Sequence, residues 1–267
     1  MAPRATMTAV GVGPMLRQWR ERRRMSQLEL ALALDSSARH LSFVETGRSK
    51  PSQSMVLKLA EHLDVPVRQR NELLLAAGYA PVYTEMAVDA PEMARVRAGI
   101  ERLLKAYAPY PALVFDGSYT VVAANDAVVE IMLDGVIPEL LTPPLNLIRI
   151  CLHPNGLAPR VVNAPAWRRH LLDRLERQLS WSANPTLRTL FDEVSTYPEV
   201  PGIAGTAADL DTIAQSLQLG HRGEILSFIT TVTTFNTPLD VTVSELAIET
   251  FMPADTATER ALTTPRP

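Results

Sequence analysis

A segment rich in residues that can bind nucleic acid runs from Gln27 to Lys50, with the sequence QLELALALDSSARHLSFVETGRSK. Arg39 lies within it, and a guanidinium group matches the O6 and N7 atoms of guanine in a bidentate hydrogen bond. Phe43 can contact the methyl group of thymine. Arg48 and Lys50 end the segment, where cations can bind phosphates and set the register without reading sequence. These residue types indicate contact with double-stranded DNA.

Catalytic and metal-binding signatures are missing from the sequence. The five His residues are isolated, and no HxxxH, HExxH, GxGxxG or GxxxxGK[ST] motif occurs. Cys151 and His153 have C-x-H spacing, but two ligands do not make a zinc site. We therefore expect Cys151 to be a buried small apolar residue, and Arg174, with its neighbouring arginines, to lie on the solvated face of a helix. The sequence predicts no enzyme, no metal and no covalent cofactor.

The DNA-contacting residues require two short helices joined by a turn. Ser26 and Glu29 have the spacing of a capping box and predict a helix start. Helices at about 27–34 and 37–46, with a turn at Asp35, have the spacing of a helix-turn-helix. Leu41 and Val44 would be buried. The side of the second helix opposite these two residues, together with its N-terminal end, carries Ser37, Ala38, Arg39, Ser42 and Phe43. A packing domain whose arginines only face solvent is the alternative.

Composition and charge indicate two domains. The chain has 267 residues, 46% hydrophobic and 21% charged, which excludes a disordered chain. Residues 1–80 carry 12 Lys and Arg against 7 Asp and Glu, whereas residues 81–267 carry 14 against 22. A basic first domain suggests a nucleic-acid module joined to a domain with another task. The single cysteine and the absence of a spanning apolar stretch predict a cytoplasmic protein with no membrane partner.

The periodicity predicts an α+β protein. The first domain reads as five helices at about 14–23, 27–34, 37–46, 52–63 and 67–77. Strands are expected at 112–115, 119–124, 211–219, 223–235 and 241–251, and helices at about 125–133, 145–153, 164–181 and 185–196. This pattern predicts an antiparallel sheet covered by helices on one side. The expected organisation is a loose leader over 1–13, a DNA-binding domain over 14–80, a linker over 81–90, a second domain over 91–260 and a tail over 261–267.

Residues 16–80 resemble the helix-turn-helix of the XRE family, to which the lambdoid phage repressors belong, and LSFVETGRSKPS resembles its hallmark after the recognition helix. The resemblance implies that Gln27, Ser37, Ala38, Arg39 and Phe43 occupy DNA-facing positions. It also implies that Arg20 and Glu45 form an ion pair that joins the first helix to the third. The turn position usually held by Gly is Asp35 here, and Asp tolerates the left-handed conformation better than most residues.

The second domain resembles the ligand-binding domain of MmyB-like transcriptional regulators, a PAS-like fold attached to an XRE head. The similarity rests on YPALVFDGSYTVVAANDAV, LNLIRICLHPNGL and GEILSFITTVTTFNTPLDVTVSELAIETFMPAD. It implies a bacterial regulator with a small apolar ligand, such as a fatty acid. The strand and helix residues expected to line an apolar interior are Phe115, Met132, Leu145, Ile148, Phe228 and Phe235. A solid core is the alternative for each of them.

Two functions agree with these observations. The first is a DNA-binding transcriptional regulator, acting as a homodimer, whose second domain senses a small apolar molecule. The second is a regulator whose second domain only dimerises or binds a protein partner, without a small ligand. Homodimerisation is expected because one helix-turn-helix contacts only half of a two-fold symmetric site.

Overall fold

A computed structural model of the chain describes residues 11–182, 184–202, 216–236 and 238–264. The chain divides into two compact units. The first comprises Met1–Glu85 together with Pro238–Ser244, and the second comprises Met86–Thr237 together with Glu245–Pro267. The return of a short late segment to the first unit is a feature that the sequence did not predict.

Five helices form the N-terminal part of the first unit, as predicted. They are α1 (Val12–Arg22), α2 (Gln27–Ala33), α3 (Ala38–Glu45), α4 (Gln53–His62) and α5 (Val67–Ala76). Helix α1 begins two residues before the predicted position, so Val12 and Gly13 are buried helix residues and not part of a loose leader. A Cβ at Gly13 would lie 2.4 Å from the carbonyl oxygen of Val44. Glycine therefore allows α1 to approach the end of α3 closely.

The second unit is built on a five-stranded antiparallel sheet. Its strands are β1 (Ala112–Phe115), β2 (Val121–Ala124), β3 (Ser216–His221), β4 (Glu224–Thr234) and β5 (Ala247–Pro253), in the spatial order β2-β1-β5-β4-β3. Strands β3 and β4 are joined by Arg222 and Gly223, both with positive φ. Such a two-residue turn matches the twist of a tight hairpin. The predicted antiparallel sheet with helices is confirmed.

Helices cover both faces of this sheet, so the prediction that only one side is covered is wrong. Helix α6 (Ala94–Tyr107) packs on one face, with Ile100 and Leu104 against Val114 and Ile248. The other face carries a larger apolar cluster, which we name the α8 cluster after its longest helix. Its helices are α7 (Leu147–Leu152), α8 (Ala164–Trp181) and α9 (Pro185–Ser195), and a π-helical turn spans Val128–Met132. The C-terminal helix α11 covers Thr256–Thr263.

One predicted strand is partly wrong. Residues 241–251 read as a strand, but Val241–Glu245 form the short helix α10 and only Ala247 onward belongs to β5. The Asp240 carboxylate accepts from the amide of Val243, and the amide of Val241 donates to the carbonyl of Thr84. These two bonds stabilise a helical turn in a segment whose β-branched residues favour a strand. The start of the strand predicted at 211–219 lies outside the described residues.

Candidate DNA interface and ligand cavity

Helices α2 and α3 form the predicted helix-turn-helix, and side chains cap both helices. The Ser26 hydroxyl accepts from the amide of Glu29, whose carboxylate accepts from the amide of Ser26. The Ser37 hydroxyl caps α3 by accepting from the amide of His40 at 3.1 Å. Asp35 has φ of 53°. Aspartate therefore takes the left-handed conformation in the turn.

The outer face of α3 presents a cation and an aromatic ring. Leu41 and Val44 are buried, whereas Ser37 and Arg39 are exposed. Phe43 is half-buried, and the guanidinium carbons of Arg39 and Arg48 lie 5.4 and 5.9 Å from its ring centroid. Ala38 and Ser42 are half-buried on the same helix. Two guanidinium groups thus converge over one ring, which favours contact with an anionic surface.

Arg20 and Glu45 connect α1 to α3. The Arg20 Nε and Nη2 atoms donate to the two Glu45 oxygens at 2.7 and 3.0 Å, and Arg20 Nη1 donates to the Met25 carbonyl. Arg20 is 8% exposed and Glu45 4%. The hydrogen bond to Glu45 raises the pKa of the Arg20 guanidinium above its usual range. Gln27 donates to the same carboxylate at 2.8 Å, so its amide supports the junction at the base of α2.

Arg48 and Lys50 follow α3 on an exposed loop. Gly47, with φ of 73°, ends the helix in a left-handed conformation. The amide of Arg48 then donates to the carbonyl of Phe43 at 2.8 Å. Lys50 Nζ lies 4.9 Å from the ring centroid of Tyr79, whose hydroxyl donates to the carbonyl of Pro51. Both cations are exposed and can reach phosphate oxygens.

A cavity of about 150 Å³ lies inside the second unit, against the α8 cluster. Met132 and Leu145 line it, as does Phe251 from β5. The lining is almost wholly apolar, but it also includes Trp167 and Glu249. This volume is below the roughly 300–1,000 Å³ of most small-molecule pockets.

A buried ion pair adjoins the cavity. Both oxygens of Glu249 lie 3.1 Å from Arg174 Nη1, and the guanidinium carbon of Arg174 lies 5.4 and 5.2 Å from the ring centroids of Phe115 and Tyr119. Burial raises the pKa of the Glu249 carboxyl, although Arg174 opposes this shift. Burial also raises the pKa of the Cys151 thiol, to about 12. The wall therefore favours uncharged groups.

Comparison with known families agrees with this geometry. Residues 16–69 match the helix-turn-helix family, and residues 96–264 match the family described as the MmyB-like transcription regulator ligand binding domain. The second match covers more than half of the chain. The chain belongs to the MmyB-like transcription regulators. No curated protein matches the chain.

Only some of the predicted ligand-binding residues of this MmyB-like regulator line the cavity. Met132 and Leu145 line it, whereas Phe115, Ile148 and Phe228 are buried in the α8 cluster beside it. Phe235 packs on the opposite face of the sheet, with the α6 residues. Phe228 and Phe235 are seven residues apart, and side chains an odd number of residues apart along an extended chain point to opposite faces of a sheet. The prediction that Phe235 shares the interior of Phe228 is therefore wrong.

The sequence did not predict the buried polar groups of the MmyB-like domain. Arg174 was expected on a solvated helix face, but it is largely buried against Glu249. A signal was present, since Glu249 interrupts the apolar run of β5 and a buried carboxylate needs a partner. Trp167 gave no such signal, because a tryptophan in an amphipathic helix is usually a core residue. Cys151 is buried, as predicted.

The described part of this MmyB-like regulator holds no group of three His, Cys, Asp or Glu residues that could bind a metal. None of the helices that the structure describes is long and apolar enough to cross a membrane. Both matched families are regulatory DNA-binding or ligand-binding domains.

Proposed function

We propose that this DNA-binding transcription regulator reads a specific operator with α3 and responds to a small, largely apolar molecule held in its second domain. The observation that supports the sensing role is the apolar cavity beside the α8 cluster. The operator-reading role is supported by the outer face of α3, where Arg39 is exposed and Phe43 is half-buried. Arg48 and Lys50 would anchor the phosphate backbone beside it.

The size of the cavity favours a compact ligand. An engineered apolar cavity of about 150 Å³ binds benzene, so the cavity here accommodates a group of similar size without rearrangement. A long-chain fatty acid, which the family resemblance suggested, would need the surrounding side chains to move apart. The compact ligand is therefore the first choice, and the fatty acid is the alternative.

Mass spectrometry of an organic extract of the purified protein tests the sensing role, with an absorbance scan for flavin or haem. We expect one small apolar compound at near-stoichiometric amount. The matched control is a variant with the cavity narrowed by Leu145→Trp, which should release that compound. If extracts from wild-type protein and variant hold the same compounds, the cavity beside the α8 cluster holds no apolar ligand, and a second domain that serves only dimerisation or protein contact becomes the preferred interpretation.

We also propose that the regulator acts as a homodimer. One α3 reads one half-site, and two copies related by a two-fold axis would read half-sites about 34–36 Å apart. Light scattering should give twice the 29.4 kDa chain mass for the free protein, and that mass plus the mass of the duplex on a palindromic site. A monomer under both conditions would contradict the proposal.

The segment Pro238–Ser244 offers a covalent route between cavity and DNA-binding unit. It belongs to the first unit, yet it connects β4 to β5 of the second. The Thr84 hydroxyl donates to the Asp240 carboxylate at 2.8 Å, which ties the segment to the chain that leaves α5. A ligand that displaces β5 would therefore pull on this segment. Typical couplings change affinity 5- to 150-fold.

The variant Asp240→Ala tests this route. It should leave the affinity for DNA measured without ligand close to wild type, but reduce the change in affinity caused by the extracted compound. The exposed Asp192 on α9 provides a matched control as Asp192→Ala. Equal ligand effects in the two variants and the wild type would rule out the segment as the route.

A further inference from the structure

One residue that lines the cavity carries a buried hydrogen-bond donor with no partner among the described residues. Trp167 is 2% exposed, and its Nε1 atom makes no hydrogen bond to the residues that the structure describes. Buried donors in native proteins are almost always paired with protein, water or ligand. Trp167 lines the 150 Å³ cavity, so a bound molecule can supply the missing acceptor.

The second polar group on the wall restricts the charge of that molecule. Glu249 is 2% exposed, and its carboxylate lies against Arg174, so the pair is already neutral as a whole. A second anion in the cavity would lie near the Glu249 carboxylate without a cation of its own. The carboxylate oxygens retain lone pairs beyond the bonds from Arg174 and can accept from a hydroxyl group.

We propose that the cavity binds a compact, uncharged ring compound bearing one hydroxyl group, of which phenol is the simplest, with its oxygen accepting from Trp167 Nε1. A hydroxyl group both accepts and donates, so it suits a wall with an unpaired N–H group and a carboxylate. The rest of the ring contacts the apolar lining. This inference rests on the proposed sensing role and specifies the chemical class of the ligand.

A water molecule is the alternative hydrogen-bond partner of Trp167, and the test must distinguish it from a ligand. Trp167 and Cys151 also line an adjacent pocket of about 20 Å³. That space is large enough for one water molecule, which needs two or more polar partners. A water molecule that satisfied Trp167 there would remove the reason for a hydroxyl-bearing ligand.

The test uses phenol and toluene, which have nearly the same shape and differ by a hydroxyl in place of a methyl group. Full-length protein is titrated with each probe, and affinities are compared in wild type and in Trp167→Phe. The ratio of the phenol affinity to the toluene affinity should fall about 5-fold in Trp167→Phe, because one hydrogen bond is lost. Trp181→Phe, at an exposed position, is the matched control and should leave the ratio unchanged.

The indole N–H signals in a ¹H–¹⁵N spectrum give a direct second readout. The three signals come from Trp19, Trp167 and Trp181. Phenol should move the Trp167 signal downfield, whereas toluene should not. This readout uses wild-type protein and decides the question even if Trp167→Phe fails to fold. Benzoate, as an anion of similar size, should bind more weakly than phenol at neutral pH.

The outcomes separate this inference from the sensing role. If toluene binds and the phenol-to-toluene ratio is the same in Trp167→Phe, the cavity binds apolar molecules but the hydroxyl class is wrong. The same conclusion follows if phenol leaves the Trp167 signal unmoved, as a water-bonded indole would, or if benzoate binds more tightly. If neither toluene nor phenol binds, both the inference and the role of this cavity fail.

Discussion

Loss of the Glu45 carboxylate should strongly destabilise the DNA-binding unit. In Glu45→Ala the Arg20 guanidinium keeps its bond to the Met25 carbonyl but loses both bonds to Glu45, and the Gln27 amide loses its acceptor. Breaking a buried pair in this way costs about 3–5 kcal/mol. For a unit of this size, 1 kcal/mol moves the melting midpoint by roughly 4–8 °C, so a shift well above 10 °C is expected.

The assay is calorimetry of the full chain, combined with hydrogen exchange of the amides in α1 and α3. The matched control is Glu21→Ala, which removes another carboxylate bonded to an arginine at 2.7 Å. Arg17 and Glu21 are both exposed, so the melting midpoint of this variant should equal that of the wild type. The double variant with Arg20→Met and Glu45→Leu should recover much of the loss, because no buried charge remains unpaired. Wild-type exchange rates in Glu45→Ala would refute the reasoning.

Four further predictions test other parts of the structure. Arg39→Ala should weaken binding to an operator selected from random DNA by about 1–3 kcal/mol and relax specificity at one base pair; an equal loss on random DNA would exclude base reading. Arg48→Ala and Lys50→Ala should each weaken binding to all sequences and flatten the salt dependence by about one counterion, and unchanged slopes would exclude phosphate contact. Gly13→Ala should lower the melting midpoint of the first unit, because its Cβ would lie 2.4 Å from a backbone oxygen of α3, whereas Gly99→Ala, with open space on α6, should not lower the midpoint of the second unit. Cys151, whose pKa is raised to about 12, should resist alkylation at pH 8 until the protein unfolds; since the folded thiol holds its proton longer, its contribution to stability is lost as pH rises above about 9.

The sequence determined the elements whose signals are local. The capping box at Ser26 and the serine cap at Ser37 fixed the starts of α2 and α3, because cap and first turn lie within four residues of one another. The five N-terminal helices of the first unit were predicted for the same reason, from the spacing of their apolar residues. The family resemblance added the pairing of Arg20 with Glu45, which no local pattern contains.

Only the tertiary structure decided the features that depend on distant partners. Helix α10 forms in a strand-like segment because Asp240 caps it and Thr84, far away in sequence, accepts from its first amide. Arg174 is buried because Glu249, 75 residues away, lies opposite it. Periodicity records which face of an element is apolar. It does not record which distant charge neutralises a buried one, and that pairing sets the chemistry of the cavity wall.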